Sequence, residues 1–165
     1  MIQTRALVPA DAGWAATLIR ERWLGPFVVT RGRIHDTREL PGFVACADGR
    51  RLGLLLYVDE SGDTEIVTLD ALEQRRGIGR SLLAAVRSHA LERGSRRVWL
   101  VTTNDNLAAI AFYTDCGFRL VDVHLDAVAL ARELKPEIPA TGHSGLPLRD
   151  ELEFSVSCES PEASI

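Results

Sequence analysis

Residues 74–81 read Gln74-Arg75-Arg76-Gly77-Ile78-Gly79-Arg80-Ser81. This stretch follows a strand-like run at 64–69 and opens a run with helical spacing of apolar residues at 81–86. A strand that turns through glycines into a helix start presents free backbone N–H groups and the positive end of the helix dipole. The three arginines add charge, and each guanidinium can donate two hydrogen bonds to phosphate oxygens. The stretch therefore predicts a site for a phosphate or pyrophosphate.

Two common phosphate-binding loops differ from this stretch. A Walker A loop would have Gly in place of Gln74 and Lys in place of Arg80. A dinucleotide-binding fingerprint would need a third small residue where Leu82 stands. What remains is the pattern Gln-x-x-Gly-x-Gly, and by itself this pattern is also compatible with an ordinary strand–helix turn that carries surface arginines.

A second motif occupies residues 106–118, which read Asn-Leu-Ala-Ala-Ile-Ala-Phe-Tyr-Thr-Asp-Cys-Gly-Phe. Asn104, Asp105 or Asn106 can cap the start of a short helix here, and Gly117 is placed to be the left-handed residue that ends it. Asn106 and Tyr113 would lie two helical turns apart on one stripe, separated by about 10 Å. Taken alone, Tyr113 is also compatible with a core aromatic residue whose hydroxyl reaches the surface.

Together the two motifs resemble those of the GNAT superfamily of N-acetyltransferases. That family carries a Gln/Arg-x-x-Gly-x-Gly/Ala pyrophosphate loop, followed roughly 25–35 residues later by Asn-x-x-Ala-x-x-hydrophobic-Tyr-x-x-x-Gly-Phe. Both motifs are complete here, in the right order and separation. The resemblance covers residues 1–127 in layout and is specific over 64–118. The segment 102–106, with the Leu-Lys-Pro and Arg-Asp-Glu sequences near the C-terminus, is similar to an uncharacterised bacterial branch of the superfamily.

The resemblance implies an α/β fold of the mixed α+β type. The expected core is a mostly antiparallel seven-stranded sheet, splayed between the strands at 64–70 and 97–103, with helices on both faces. A single acetyltransferase domain would span residues 1–158 and would include an insertion at about 125–148 before the last strand. We expect residues 159–165 to form a disordered tail.

The sequence pattern also predicts the individual elements. The expected strands are 2–8, 43–47, 52–58, 64–70, 97–103, 118–123 and 151–158. The first expected helix begins at Pro9-Ala10-Asp11 and ends before Gly25-Pro26. The other expected helices span 79–92, 106–116 and 125–134. Asp48-Gly49 and Ser61-Gly62-Asp63 are turn sequences, and the first of them is typical of a hairpin. For residues 27–41 we expect an irregular loop or a short helix.

The resemblance implies acetyl-CoA as co-substrate, and we expect no metal. The end of the strand before the loop would bond the pantetheine and the thioester through Val67, Thr68 and Leu69, with the Leu69 N–H as oxyanion donor. The residues expected around the pyrophosphate are Gln74, Arg75, Arg76, Gly77, Ile78, Gly79, Arg80 and Ser81. Asn106 matches the family's polar contact to the cofactor arm. Tyr113 matches its general acid, because a phenol with a pKa near 10 can protonate a thiolate.

The general base is less directly indicated. Some protein N-terminal acetyltransferases of the family place a Glu five residues before the Asn, and Val101 stands at that position here. Glu65 is our candidate base instead, acting directly or through a water. The other interpretation of Glu65 is a solvated carboxylate at a strand end, and Asp70 and His124 are alternative bases.

Composition limits the class of protein. A chain of 165 residues with 46% apolar and 25% charged residues suits one globular domain, and a net charge of −4 disfavours nucleic-acid and anionic membrane surfaces. The three cysteines and four histidines have neither zinc-site spacing nor a disulfide framework. Because the sequence shows no signal peptide and no membrane-spanning run, we expect a cytoplasmic enzyme. The resemblance implies that it is bacterial, and a homodimer is left open.

The expected function is acetyl-CoA-dependent N-acetyl transfer to a primary amine of a small molecule, by direct attack on the thioester. One alternative is acetylation of a peptide or protein N-terminus, which Val101 disfavours. The other is a non-catalytic acyl-CoA-binding regulator, which the presence of Tyr113 disfavours. The insertion region carries three cations, namely Arg132, Lys135 and Arg149. They could meet an acidic substrate group or pair with neighbouring carboxylates.

Overall fold

The computed structural model describes residues 1–142 and 145–158, so the expected tail at 159–165 lies outside the described residues. The strands are β1 (Gln3–Ala6), β2 (Phe27–Thr30), β3 (Arg33–Asp36), β4 (Gly42–Ala47), β5 (Arg50–Glu60), β6 (Asp63–Ala71), β7 (Arg97–Thr103), β8 (Arg119–His124) and β9 (Glu151–Ser157). The helices are α1 (Ala12–Trp23), α2 (Ile78–Arg93), α3 (Leu107–Asp115) and α4 (Ala127–Leu134), with 3-10 turns at Pro9–Asp11 and Thr37–Glu39. No helix among these residues is long and apolar enough to cross a membrane.

Seven of these strands form one sheet in the order β1-β4-β5-β6-β7-β9-β8, while β2 and β3 pair with each other. The pairs β1–β4, β4–β5, β5–β6 and β8–β9 are antiparallel. The predicted fold class, a mixed α/β fold with a mostly antiparallel seven-stranded sheet, is therefore confirmed. The splay between the strands at 64–70 and 97–103 stays a prediction, as does the placement of helices on both faces.

Contacts divide the chain into two compact units. The first unit comprises Met1–Ala16, Arg38–Val98 and the described chain end from Ser157, and the second comprises Thr17–Thr37 and Trp99–Val156. The first unit contains β6, the glycine loop and α2, and the second contains α3 and α4. The expected single domain over residues 1–158 stays a prediction.

In the first unit, α2 packs on the strands β4, β5 and β6. Its apolar side is completely buried, with Leu82, Val86 and Ala90 each at 0% exposure. Gly53 on β5 permits this close approach, because a Cβ there would lie 2.5 Å from Cγ2 of Ile78. The contact fixes the first turn of α2, and hence the end of the glycine loop, against the sheet.

Asp11 holds the start of α1 in the first unit. Arg5 donates to both of its carboxylate oxygens, at 2.7 and 2.9 Å, and Arg51 donates from Nε at 2.8 Å. The hydrogen bonds from Arg5 are the main reason that the pKa of Asp11 lies well below its usual range. The carboxylate is completely buried, and its charge is compensated by both guanidinium groups.

Short turns formed by two residues with positive φ connect several strands. Asp48-Gly49 joins β4 to β5 with φ values of 52° and 73°, and Ser61-Gly62 joins β5 to β6 with φ values of 54° and 81°. Positive φ at both central residues is the requirement of the type I′ turn, which matches the twist of a hairpin. Both predicted turns are confirmed.

The expectation of an irregular loop or short helix at 27–41 is wrong. These residues form the β2–β3 hairpin, which is joined by Arg31-Gly32 with φ values of 48° and 73°, and then a 3-10 turn. The run of Val28, Val29 and Thr30 favours a strand. An arginine in the first turn position, where Asn or Asp is typical, hides the hairpin pattern.

Both glycine-terminated helices end as predicted. Gly94 after α2 has φ 79°, and Gly117 after α3 has φ 88°. In α3 the Phe118 N–H donates to the Tyr113 carbonyl at 3.0 Å, and the Gly117 N–H donates to the Thr114 carbonyl at 3.0 Å. This is the paired hydrogen-bond pattern of the Schellman motif, which satisfies the last carbonyls of the helix.

Candidate active site

The glycine loop lies between the end of β6 and the first turn of α2. Gly77 is the N-cap residue with φ 76°, and no side chain caps the helix. The first intrahelical hydrogen bond runs from the Ser81 N–H to the Gly77 carbonyl at 2.9 Å. The N–H groups of Ile78, Gly79 and Arg80 precede it, so they point out of the N-terminus of a 16-residue helix. This arrangement suits an anion.

The loop's charges are partly engaged inside the protein. Arg76 forms an ion pair with Glu73, which also accepts from Arg50 at 3.4 Å. The hydrogen bond from Arg76 is the main cause that lowers the pKa of Glu73. Arg75 has a positive φ of 60°, an uncommon conformation for a residue with a side chain. Gln74, Arg75, Arg76, Gly77 and Arg80 are all exposed.

Ser81 differs from the other predicted phosphate-binding residues. Its hydroxyl shares a hydrogen bond of 2.5 Å with the hydroxyl of Thr4 on β1. Its N–H is used within α2, as described above. Its N–H and its hydroxyl therefore both take part in hydrogen bonds within the first unit, and Ser81 helps to hold the helix start in place.

β6 contains a β-bulge at Val67. Tyr57 of β5 lies opposite Ile66, but the next residue of β5, Leu56, lies opposite Thr68. Val67 is thus one extra residue in β6, and such an insertion locally disrupts the ladder of backbone hydrogen bonds. The bulge falls among the three residues predicted to contact the pantetheine and thioester, which agrees with a strand that is not completely paired there.

The bulge also decides which side chains of β6 share a face. Glu65, Thr68 and Asp70 lie opposite residues 58, 56 and 54 of β5. Alternate residues of a strand face the same side of a sheet, so these three β6 side chains share one face. We call them the Glu65–Thr68–Asp70 row. Gly53, Leu55 and Tyr57 have the other parity, and Gly53 faces α2, so the row faces away from α2.

All three side chains of the row are buried. The exposed fractions are 6% for Glu65, 1% for Thr68 and 8% for Asp70. The interpretation of Glu65 as a solvated carboxylate at a strand end is therefore wrong, because Glu65 lies inside β6 and is buried. Its role as the general base stays a prediction. Among the described residues, the Thr68 Oγ1 atom is buried and has no hydrogen-bond partner.

In the second unit, Asn106 is the N-cap of α3. Its side-chain oxygen accepts from the Ala109 N–H at 3.2 Å, so Asn106 is the cap among the three candidates that the sequence offered. The side chain is exposed. Capping uses the Oδ1 atom, which leaves the Nδ2 group as the donor through which Asn106 could contact a cofactor.

Tyr113 lies on the last turns of α3 and is 8% exposed. Its ring packs edge-on against Phe112 and Phe118, with centroid distances of 5.2 and 5.7 Å. The ring is therefore part of the core of the second unit, and this packing fixes the direction of the C–O bond. A fixed phenol is compatible with general acid catalysis, and that role stays a prediction.

The insertion before β9 is held by Asn104 and by its own cations. Oδ1 of Asn104 accepts from the N–H groups of Arg149 and Asp150, each at 3.0 Å, and Nδ2 donates to the Pro147 carbonyl at 2.9 Å. Arg149 forms an ion pair with Asp150 at 3.0 Å, which is one of the two alternatives considered for it. Arg132 donates to the carbonyls of 138, 139 and 148.

Lys135 joins the insertion to the segment after α1. Its ammonium donates to the carbonyl oxygens of Trp23 and Phe27, and burial lowers its pKa. Next to this contact lies a cavity of about 310 Å³ whose lining includes Leu24, Pro26 and Leu134. The β2–β3 hairpin and the insertion therefore line one cavity within the second unit.

His124, an alternative base, belongs to a polar cluster of the second unit. Its Nε2 atom lies 2.9 Å from Oε2 of Glu153, and Arg31 lies 3.2 Å from the same oxygen. Ligand atoms of Asp122, His124 and Glu153 lie within 4.8 Å of one another, the spacing of a possible metal site. Arg31 supplies a positive charge to Glu153 in this structure. The expectation of no metal stays a prediction.

Sequence reasoning missed three features of the site. Thr68 was expected to act through its backbone, and the buried hydroxyl was not anticipated. The grouping of Glu65 with Thr68 depends on the bulge, and neither strand's sequence alone reveals the register between them. Asn104 was considered only as a cap, although its side chain organises residues 147–150.

A helix N-terminus without a side-chain cap, reached through glycines from a bulged strand, defines a site that suits an anionic ligand. The chain belongs to the Acetyltransferase (GNAT) family, which matches residues 13–118, and the resemblance seen in the sequence is confirmed. YxbD of Bacillus subtilis, an uncharacterised protein, is 36% identical over 146 residues, covering 88% of this chain and 91% of YxbD.

Solved structures of acetyltransferases share the fold. The IAA acetyltransferase from Bacillus cereus has a TM-score of 0.70 and 19% identity, with 95% of this chain and 99% of that chain covered. A GNAT family acetyltransferase from Elizabethkingia anophelis with acetyl-CoA bound has a TM-score of 0.66 and 17% identity, with 94% and 97% covered. The family match makes the chain an N-acetyltransferase, and these structures show that it has the same fold.

Proposed function

We propose that this enzyme transfers the acetyl group of acetyl-CoA to a primary amine of a small molecule, by direct attack of the amine on the thioester. The observation that carries the proposal is the glycine loop, which joins a bulged strand to a helix N-terminus without a side-chain cap. A loop of this kind binds a pyrophosphate, and acetyl-CoA is the acetyl donor that contains one.

The first unit would bind the cofactor. The N–H groups of Ile78, Gly79 and Arg80 donate to the pyrophosphate, and Arg75 and Arg80 add positive charge. Gly77 leaves open space next to these groups, since no atom lies within 4 Å of a Cβ built there. Val67, Thr68 and Leu69 bond the pantetheine and thioester through the backbone, and the Leu69 N–H stabilises the oxyanion.

The transfer itself needs three events. The amine nitrogen forms a bond to the acetyl carbon, the carbon–sulfur bond breaks, and the nitrogen loses one proton. Tyr113 donates its hydroxyl proton to the departing thiolate, and Glu65 accepts the proton from the nitrogen, directly or through a water. Return of a proton from Glu65 through solvent restores the phenol, so the products are an amide and CoA with a free thiol.

Val101 favours a small-molecule acceptor over a peptide N-terminus. A valine at this position on β7 cannot accept a proton, so the base position used by some N-terminal acetyltransferases is absent here. Further parts of the proposal are that the enzyme acts in the cytoplasm and that it needs neither a nucleic acid nor a membrane partner.

A two-stage experiment tests the function. Thermal unfolding with CoA and with acetyl-CoA should show stabilisation by both, because a ligand that binds only the folded state raises its stability. A panel of small amines and short peptides is then incubated with acetyl-CoA, and thiol release is measured together with the product mass. Absence of stabilisation by CoA contradicts the cofactor proposal, and turnover of peptides alone contradicts the small-molecule acceptor.

A further inference from the structure

The hydroxyl of Thr68 is an unusual feature of β6. The side chain is 1% exposed, and Oγ1 has no hydrogen-bond partner among residues 1–142 and 145–158. A buried polar atom without a partner lowers the stability of a folded protein, so native structures contain few of them. A ligand that hydrogen-bonds to this hydroxyl would remove that cost.

The position of Thr68 points to the reacting part of the ligand. Because of the bulge at Val67, Thr68 faces the same side of the sheet as Glu65, although the two are three residues apart. In a regular strand, residues three apart face opposite sides. Thr68 therefore lies in the Glu65–Thr68–Asp70 row, between the candidate base and a second buried carboxyl group.

The chemistry of the row favours an amine over the thioester oxygen. The flanking Glu65 and Asp70 are carboxyl groups, and carboxylates stabilise a nearby positive charge or an N–H donor. The oxyanion that develops on the thioester is negative, so carboxylates next to it would raise its energy. A threonine hydroxyl has lone pairs that can accept an N–H, which matches the hydrogen left on an amine whose lone pair attacks carbon.

We propose that the Thr68 hydroxyl binds the acceptor amine, accepting a hydrogen bond from its nitrogen while Glu65 takes the reacting proton. The inference rests on the proposed function and assigns Thr68 a side-chain contact to the acceptor, in addition to a backbone contact to the cofactor. The acceptor is then a primary amine that is neutral when its lone pair attacks the acetyl carbon.

The test compares Thr68→Val with Thr68→Ser in the complete chain. Valine has nearly the shape of threonine but lacks the hydroxyl, while serine keeps it. For Thr68→Val without ligand, we expect an unfolding temperature equal to or above that of the wild type, because a buried unpaired polar group is removed. For an amine found in the panel, kcat/KM should fall by about tenfold or more, the size expected for one lost hydrogen bond.

Two further measurements keep the result specific. The Kd for acetyl-CoA should be unchanged in Thr68→Val, and Thr68→Ser should recover most of the amine kcat/KM. If Thr68→Val turns the amine over with the wild-type kcat/KM, or if the loss occurs only in the acetyl-CoA Kd, the inference is wrong. If Thr68→Val does not fold, Thr68→Ala against Thr68→Ser gives the same comparison.

Failure of the proposed function has a different outcome. In that case the wild-type enzyme binds acetyl-CoA but acetylates no amine of the panel. A wild-type enzyme that acetylates an amine, together with a Thr68→Val variant of equal kcat/KM, contradicts the inference about Thr68 alone.

Discussion

Thr4 and Ser81 share a hydrogen bond of 2.5 Å between their hydroxyl oxygens, which ties β1, at the edge of the seven-stranded sheet, to the first turn of α2. Ser81 is the last residue of the glycine-loop motif, yet its side chain is directed to a strand of its own unit. The motif therefore combines residues that can contact a phosphate with one that holds the helix start.

Replacing Ser81 with alanine should lower stability more than cofactor affinity. We expect the free energy of unfolding to fall by about 1 kcal/mol, the usual contribution of one hydrogen bond, and the Kd for CoA to change less than threefold. Thr4→Val removes the other partner and should give a similar loss of stability. Thermal unfolding and calorimetric titration with CoA measure both quantities. A tenfold weaker CoA affinity in Ser81→Ala, with normal stability, would assign the hydroxyl to the cofactor instead.

Replacing Gly77 with valine should abolish the stabilisation by CoA. A side chain at Gly77 would occupy the open space beside the N–H groups of the loop, and the φ of 76° is unfavourable for a β-branched residue. Gly94→Val is the matched control at the other end of α2, since Gly94 has φ 79° and also has open space around it.

Both glycine variants should lose stability from backbone strain, but only Gly77→Val should lose the shift in unfolding temperature on adding CoA. A folded Gly77→Val protein that binds CoA as tightly as the wild type would show that the loop does not hold the pyrophosphate.

Asn106 has two functions to separate, because it caps α3 through Oδ1 and is expected to contact the cofactor. Asn106→Asp keeps an oxygen that can cap the Ala109 N–H but removes the Nδ2 donor. We expect near-normal stability with CoA binding that is weaker by about 1 kcal/mol or somewhat more. Asn106→Ala should lose the cap as well, with a further stability cost of about 1 kcal/mol. If Asn106→Asp binds CoA normally, Asn106 is a cap only.

Local sequence chemistry predicted the elements whose ends it controls. Gly94 and Gly117 end their helices because glycine accepts the left-handed conformation, and Asp48-Gly49 forms its hairpin for the same reason. The β2–β3 hairpin was missed because Arg31 is an uncommon residue for a turn with positive φ. In these cases, the identity of one or two residues decided whether the sequence was informative.

The candidate site was predictable as motifs but not as a surface. The loop is recognisable from the residue spacing before α2, and Asn106 and Tyr113 are recognisable from the residue spacing along α3. The grouping of Glu65 with Thr68 follows from the register between β5 and β6, which shifts by one residue at Val67. Register is a property of two strands together, so no pattern within β6 alone could have shown it.

Tyr113→Phe should separate the structural and chemical roles of this residue. Phenylalanine keeps the ring packing against Phe112 and Phe118, so we expect stability and CoA affinity to stay close to those of the wild type. Turnover should fall by roughly 10²–10⁴-fold, the usual contribution of a general acid. The measurement is kcat for an amine found in the panel, and an unchanged kcat would leave Tyr113 with a packing role alone.

Glu65→Gln tests the general base. Glutamine keeps the size of the side chain and can still hydrogen-bond, but it cannot accept the proton of the amine, so the rate at pH 7 should fall well below that of the wild type. Raising the pH should recover much of the rate, because an alkyl ammonium loses its proton near pH 10 and more of the acceptor then arrives neutral. Asp70→Asn is the comparison variant, since Asp70 lies on the same face of β6 with similar burial, and a pH rescue in Asp70→Asn but not in Glu65→Gln would assign the base to Asp70. Wild-type rates for Glu65→Gln across this pH range would mean that solvent deprotonates the amine before it binds. A uniform loss without rescue would mean that Glu65 holds the substrate and does not take its proton.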